Sequence, residues 1–223
     1  MKYIIPFGRA LTLATIIASA SLAQGEPITY SAKTGSLLKI SGTSSVHDWE
    51  LKTRLIGGKM IWDTSFPLDP SRAKLPKLTA PPKVSVIIPV RNIESGKQRM
   101  NEVMHGAMNA QKHKYARYSL KEIKVADKER KAGDPILFDT KGTLNLNGKT
   151  AAVSMQVSIA KGEGDKLKVS GKAKLKMSQF GVSPPSPKIA LGLIKTGDEV
   201  TVEFDWFVAK KKVAGERKRI CTN

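Results

Sequence analysis

Cysteine is almost absent from this chain: Cys221 is the only one in 223 residues. No internal disulfide can form, so the fold must be held by its core even in an oxidising compartment. Acidic side chains are also scarce, 19 against 38 lysines and arginines, which leaves a formal charge of +19. There are three histidines, His47, His105 and His113, and no His-Glu-x-x-His spacing, so zinc chemistry has no ligand set. Glycine-rich phosphate loops and Gly-x-Ser-x-Gly nucleophile motifs are missing. Nothing interleaves aromatic and basic residues as a nucleic-acid reader would. These absences remove the commonest enzyme classes and leave binding.

The N-terminus carries export features. Lys2 and Arg9 precede an apolar, small-residue run, Leu11 to Ala20. That run is far short of the roughly 20 residues needed to cross a bilayer. Ser21-Leu22-Ala23 places small residues before a cut at Gln24, with Ala18-Ser19-Ala20 as a second candidate. We therefore expect a signal peptide over 1–23, a domain over 24–208 and a basic tail over 209–223, in a periplasmic or secreted protein. Loss of Lys2 and Arg9 takes the formal charge from +19 to +17. A field of that sign attracts anionic lipid, envelope polysaccharide or nucleic acid. An exported chain seldom meets nucleic acid, so none is expected as a partner.

Strand patterns dominate the rest. In Lys166–Met177, Leu167, Val169, Gly171, Ala173, Leu175 and Met177 alternate with lysines and a serine. Such alternation requires one buried and one solvated face. Val153, Met155, Val157 and Ile159 form the inward set of the preceding strand, and Val200, Val202, Phe204, Trp206 and Val208 that of the last. Asn147-Gly148 reads as a two-residue hairpin turn, because both residues tolerate positive φ. Gly171 in mid-strand suggests a bend. Further strands are expected at Leu37–Ile40, Trp49–Leu55, Lys59–Trp62, Val84–Val90, Arg117–Val125, Ile136–Asp139 and Thr143–Leu146. No βαβ alternation or internal repeat occurs, so the class is all-β, an antiparallel barrel or sandwich.

Two segments break the pattern. Thr64 to Lys83 holds five prolines and reads as an irregular, exposed loop. Arg99 to Gln111 reads as one short helix, with Met100, Val103, Met104, Ala107 and Met108 on a single face. Their thioethers, with His105 near, could take copper(I). Flexible filling of an apolar contact explains methionine better.

Two motifs carry a resemblance. The first is Ser41-Gly42-Thr43-Ser44-Ser45-Val46-His47-Asp48-Trp49. The second is Ser178-Gln179-Phe180-Gly181-Val182-Ser183-Pro184-Pro185, followed by Gly192-Leu193-Ile194-Lys195-Thr196-Gly197-Asp198-Glu199-Val200. Together, over about 28–208, the chain resembles the YceI-like family of lipid- and polyisoprenoid-binding envelope proteins. The resemblance implies a single lipocalin-like barrel of about eight strands with one inserted helix and an apolar lumen for an isoprenoid chain. It implies a carrier and not an enzyme, with no cofactor, no metal and no catalytic residue.

On that reading Val153, Met155, Val157, Leu167, Val169, Ala173 and Leu175 line the lumen, with Gly171 and Ala173 leaving room. Trp49, Phe180 and the methionines Met100, Met104 and Met108 join them, the helix acting as a lid. His47 and Asp48 could suggest acid–base catalysis. Adjacent strand residues point to opposite faces, so a structural role is preferred, with Asp48 capping the turn. The partner expected is a lipid, with an anionic membrane surface as a further candidate through Lys210-Lys211-Lys212 and Arg217-Lys218-Arg219. The chain would be a monomer or homodimer. The competing reading is an envelope interaction module working through its basic surface, with nothing in the lumen.

Overall fold

The computed structural model describes residues 27–126, 129–186 and 195–211. The expected signal peptide, Cys221 and the basic cluster at 217–219 lie outside them. Ten strands follow one another: β1 (Pro27–Ala32), β2 (Leu37–Ser44), β3 (Trp49–Thr53), β4 (Gly57–Asp63), β5 (Lys83–Pro89), β6 (Tyr115–Val125), β7 (Ile136–Leu146), β8 (Lys149–Lys161), β9 (Lys166–Lys176) and β10 (Thr196–Lys210). One helix, α1 (Gln98–Ala107), sits between β5 and β6, and a short 3-10 turn, Met177–Phe180, follows β9.

All pairings are antiparallel, in the order β1-β4-β5-β6-β7-β8-β9-β10-β2-β3, and β1 also pairs with β10. Eight strands therefore close into a barrel, which removes the free edges an open sheet would expose. The β2–β3 hairpin is additional. β10 is long because it serves two neighbours along one edge: Thr196 to Asp205 pairs with β2, while only Val208 to Lys210 reaches β1. The outer side of β3 is held by a two-bond bridge, Lys52 N–H to Glu94 O at 2.7 Å and Glu94 N–H to Lys52 O at 2.9 Å.

The expected alternation survives, with three differences. Ile136–Asp139 and Thr143–Leu146 are one strand, because Gly142 between them faces inward under the ring of Tyr118. β1 was not anticipated; it is short and opens on Pro27. In β6 a bulge between Leu120 and Glu122 resets the alternation, so that Leu120 and Ile123 both face the interior. The helix stops earlier than its pattern suggests, and Asn109 takes a left-handed φ of 48° just beyond it.

Outside, the lysines of β9 do not simply stand in solvent. Lys168, Lys172 and Lys174 pair with Asp205, Glu203 and Glu199 of β10. Glu203 continues to Lys39 of β2, which meets Glu50 of β3. The bonds from Lys172 and Lys52 hold the Glu203 and Glu50 carboxyls below their ordinary range. Each exposed pair is worth little, but together they neutralise this face.

One end of the barrel is blocked. Trp62 of β4 and Phe138 of β7 touch edge to face at a centroid distance of 5.7 Å. Two strands, β5 and β6, separate β4 from β7, so the contact spans the interior. Phe66 packs on both rings, at 5.9 and 6.0 Å. Its carbonyl accepts the Trp62 indole N–H at 2.9 Å. The proline-rich segment is irregular, as expected, but it is not simply exposed. It delivers buried Phe66 and packs Leu68, Leu75 and Leu78 on the core. The Arg130 guanidinium ties it to the β6–β7 connection by donating to the carbonyls of Arg72, Pro70 and Asp134.

Two glycines separate backbone demand from tolerance. Gly58 has φ +137°, and a Cβ there would lie 2.2 Å from Ser85 O and 2.9 Å from Val86 Cα. Gly58→Ala should cost about 1–3 kcal/mol or more, since backbone must move. Gly106 in α1 has open space around it, and Gly106→Ala should stabilise by about 0.4–1 kcal/mol. Urea denaturation midpoints check both.

Candidate functional site

The inward side chains do not meet in the middle. They surround a bore of about 220 Å³. Val84, Val86 and Ile88 of β5, Leu144 of β7, Met155 of β8 and Val202 of β10 all line it yet are only half-buried, because their free surface faces the bore. The polar groups among the lining are few: the Tyr118 and Thr140 hydroxyls, the tryptophan indoles and Lys176 at the margin. Thr140 gives its proton to Met155 O at 2.8 Å. Burial raises the Tyr118 phenol above its ordinary value, although Thr140 beside it acts the other way. No well-aligned hydrogen bond forms between the two, and the phenol stays buried without a partner. A cavity with so few polar groups offers water few partners.

The bore stays open because large rings lie flat against glycine. A Cβ on Gly42 would meet the Trp49 ring at 2.3 Å, one on Gly142 the Tyr118 ring at 2.3 Å, and one on Gly171 the Phe204 ring at 2.6 Å. Trp49 and Gly42 are register partners, as are Phe204 and Gly171. Each glycine lets a ring lie along the wall instead of standing into the lumen. Gly171 is thus a seat for Phe204, not spare room.

Opposite the Trp62–Phe138 block, a circuit of hydrogen bonds gathers the loops. His105 Nε2 donates to Ile93 O at 2.9 Å, tying α1 to the segment that bridges β3. Asn109 donates to Asn147 Oδ1 at 2.8 Å, and Asn147 donates to Phe180 O and Gly181 O. Ser178 donates from its N–H at 2.8 Å and its hydroxyl at 2.6 Å to Asp198, whose carboxyl is lowered chiefly by these bonds. Lys195 and Ser45 exchange backbone and hydroxyl bonds and reach the β2–β3 turn. Asn147 sits at φ 52°, as the expected hairpin turn requires.

The expected ligand residues divide. Trp49, Met104, Met108, Val153, Met155, Val157, Val169, Ala173, Leu175 and Phe180 all line the bore. Leu167 is buried in the core beyond it. Met100 is displaced: it lies with His47 and Asp48 along an outer groove beside β3. The methionine stripe therefore runs from the interior out to the rim. His105 is bonded to a carbonyl, and among the described residues no three His, Cys, Asp or Glu cluster as metal ligands.

His47 and Asp48 form no dyad. The His47 ring donates from Nδ1 to the Asp48 backbone carbonyl at 2.8 Å. The turn is capped by Ser44, whose hydroxyl accepts from Val46 and His47 N–H and donates to His47 O. That replaces the capping role expected of Asp48. Sequence reasoning missed Trp62, Tyr118, Phe138 and Thr140. The alternation in β6 and β7 points to Tyr118, Phe138 and Thr140, but a bulge and a mid-strand glycine interrupt it; Trp62 ends the strand pattern of β4.

A family model described as the YceI-like domain matches residues 62–207. The fold is similar to BcnA of Burkholderia cenocepacia at 20% identity and TM-score 0.57, covering 78% of this chain and 96% of that one. It is also similar to a polyisoprenoid-binding domain of Saccharophagus degradans implicated in plant cell wall breakdown. That likeness has 14% identity and TM-score 0.58, covering 82% of this chain and 99% of that one. No curated protein matches.

The ring-on-glycine contacts generate a test. Gly142→Ala should push the far end of the Tyr118 ring into the bore while the barrel still folds. Uptake of an apolar fluorophore should fall several-fold at an unchanged circular dichroism spectrum. Unchanged uptake would show that Tyr118 does not bound the lumen.

Proposed function

The chain belongs to the YceI-like domain family, and on that premise we propose that it is an exported, non-catalytic carrier of a polyisoprenoid or similar amphipathic lipid. One observation carries the reading: a bore walled almost wholly by apolar side chains that do not fill it. Transfer of a hydrocarbon chain into such a space yields about 0.8 kcal/mol per methylene, so contact alone supplies useful affinity. The open lumen favours this over a barrel that acts only through its basic surface.

Entry from the helix end fits the geometry. The far end is crossed by Trp62, Phe138 and Phe66. At the near end Met104 and Met108 present unbranched thioethers, which adapt to chains of variable shape. The helix then acts as a lid whose inner turn contacts the bound chain. The absence of catalysis is supported by the engagement of His47 with its neighbour's carbonyl and of His105 with Ile93 O. Export is supported by the basic and apolar N-terminal pattern.

Mass spectrometry of a solvent extract of the purified protein tests the reading. About one long-chain isoprenoid or comparable lipid per barrel is expected. Ala173→Trp should reduce it several-fold without loss of cooperative unfolding, and Met104→Lys should weaken lipid retention more than folding. An extract without lipid, from protein that also fails to bind added polyprenols, contradicts the carrier role. A hydrolase or isomerase activity lost with His47→Ala contradicts the absence of catalysis.

A further inference from the structure

The positive charge of the barrel is not spread evenly. On the face made by β9, β10, β2 and β3, lysines alternate with carboxylates in ion pairs. Exposed lysines outside these ion pairs stand at both ends, Lys83, Lys124 and Lys161 among them at the blocked end, and those at the end capped by α1 lie beside exposed apolar groups. Arg91, Lys112, Lys114, Arg117, Lys149 and Lys176 are all exposed, and none takes part in the ion pairs among the described residues.

Contacts around the rim bring them together. Val90 N–H bonds Lys114 O, beside Arg91. The bond between Asn109 and Asn147 sets the Lys112 loop against the hairpin that carries Lys149. The Lys149 stem crosses Gly181, just after the 3-10 turn that Lys176 precedes. Asp198 also stands at this end and acts on Lys176, but its carboxylate is taken by Ser178. Glu102 of α1 accepts from Gln98.

Exposed apolar groups share this rim. Tyr115 is 39% exposed, with the Arg117 guanidinium 5.0 Å from its ring centroid. Val46, at the tip of the β2–β3 turn next to Lys195, is 64% exposed. Unpaired cations around an aromatic ring and an aliphatic tip match the headgroup layer of an anionic bilayer: charge meets lipid phosphate while the ring and valine enter the interface. A soluble polyanion would use the cations and leave the apolar groups idle.

We propose that the helix-capped end of the barrel docks on an anionic lipid bilayer. The same end holds the thioether lid of the bore, and the opposite end is blocked by aromatic rings. Docking therefore turns the open side of the lumen toward the membrane. The placement of charge and apolar tips carries this independently of what the bore holds.

The test is co-sedimentation of the full chain with vesicles of phosphatidylcholine alone or mixed with phosphatidylglycerol. Wild type should bind only the anionic vesicles, and more weakly as salt rises. Each basic residue near such a surface is worth about five-fold in partition, so Lys112→Glu with Lys114→Glu should lower binding at least about twenty-five-fold. Lys59→Glu with Lys161→Glu, the same charge change elsewhere, should cost much less. Lys112→Gln with Lys114→Gln, a milder pair, should give a smaller loss in the same direction. Equal loss in the rim and control variants, no binding of wild type, or tighter rim-dependent binding to heparin than to vesicles overturns the proposal.

Discussion

Closing an antiparallel ladder on itself leaves an inward side chain nowhere to go but the bore. Every other residue of eight strands must then be apolar or satisfied, and the sequence complies along nearly every strand. Closure also removes free edges, which would otherwise template pairing with another chain. In an eight-stranded barrel this requirement would ordinarily fill the interior. Here it does not, because Trp49, Tyr118 and Phe204 lie along the wall over Gly42, Gly142 and Gly171. The rings contribute apolar surface without occupying the axis. At Trp62, Phe138 and Phe66 rings cross it. The fold is therefore a sleeve with one blocked end.

The open end depends on a different interaction. Loops over an apolar cavity have little core of their own, and polar side chains bind them to one another instead. His105, Asn109, Asn147, Ser178, Asp198 and Ser45 each bridge separate elements. Hydrogen bonds of this kind are individually worth about 1 kcal/mol, and they fix direction as well as distance. The helix is positioned by that circuit and by the insertion of Met104 and Met108. A helix held by a few polar bonds and flexible thioethers can yield locally while the ladder stays intact.

Much of this was legible before the structure. Strict alternation in β8, β9 and β10 placed Val153, Val157, Val169, Ala173 and Trp206 inward, and the motifs at 41–49 and 178–200 pointed to the family. Period-two patterning does not say whether facing side chains meet, so the presence of a bore was beyond it. Gly171 is misread for the same reason: it reads as spare room, yet it is half of a pair whose other half, Phe204, lies on the neighbouring strand. Phe66 was hidden because loop residues carry no periodicity. Met100 was assigned inward with its stripe, but the turn nearest the rim of α1 passes outside the cavity. At His47 the local reading was nearly right; Ser44, not Asp48, supplies the capping oxygen.

On the proposed function a hydrocarbon chain sits in the bore itself. The three tryptophans of the chain, Trp49, Trp62 and Trp206, all line it. A brominated polyprenol quenches indole fluorescence only on contact, so titration reads occupancy of the lumen directly. Saturable loss of most tryptophan emission is expected at about one equivalent, with the unbrominated chain competing. Emission unchanged at excess brominated chain, while the chain still binds the protein, would place the ligand elsewhere and contradict occupancy of the bore.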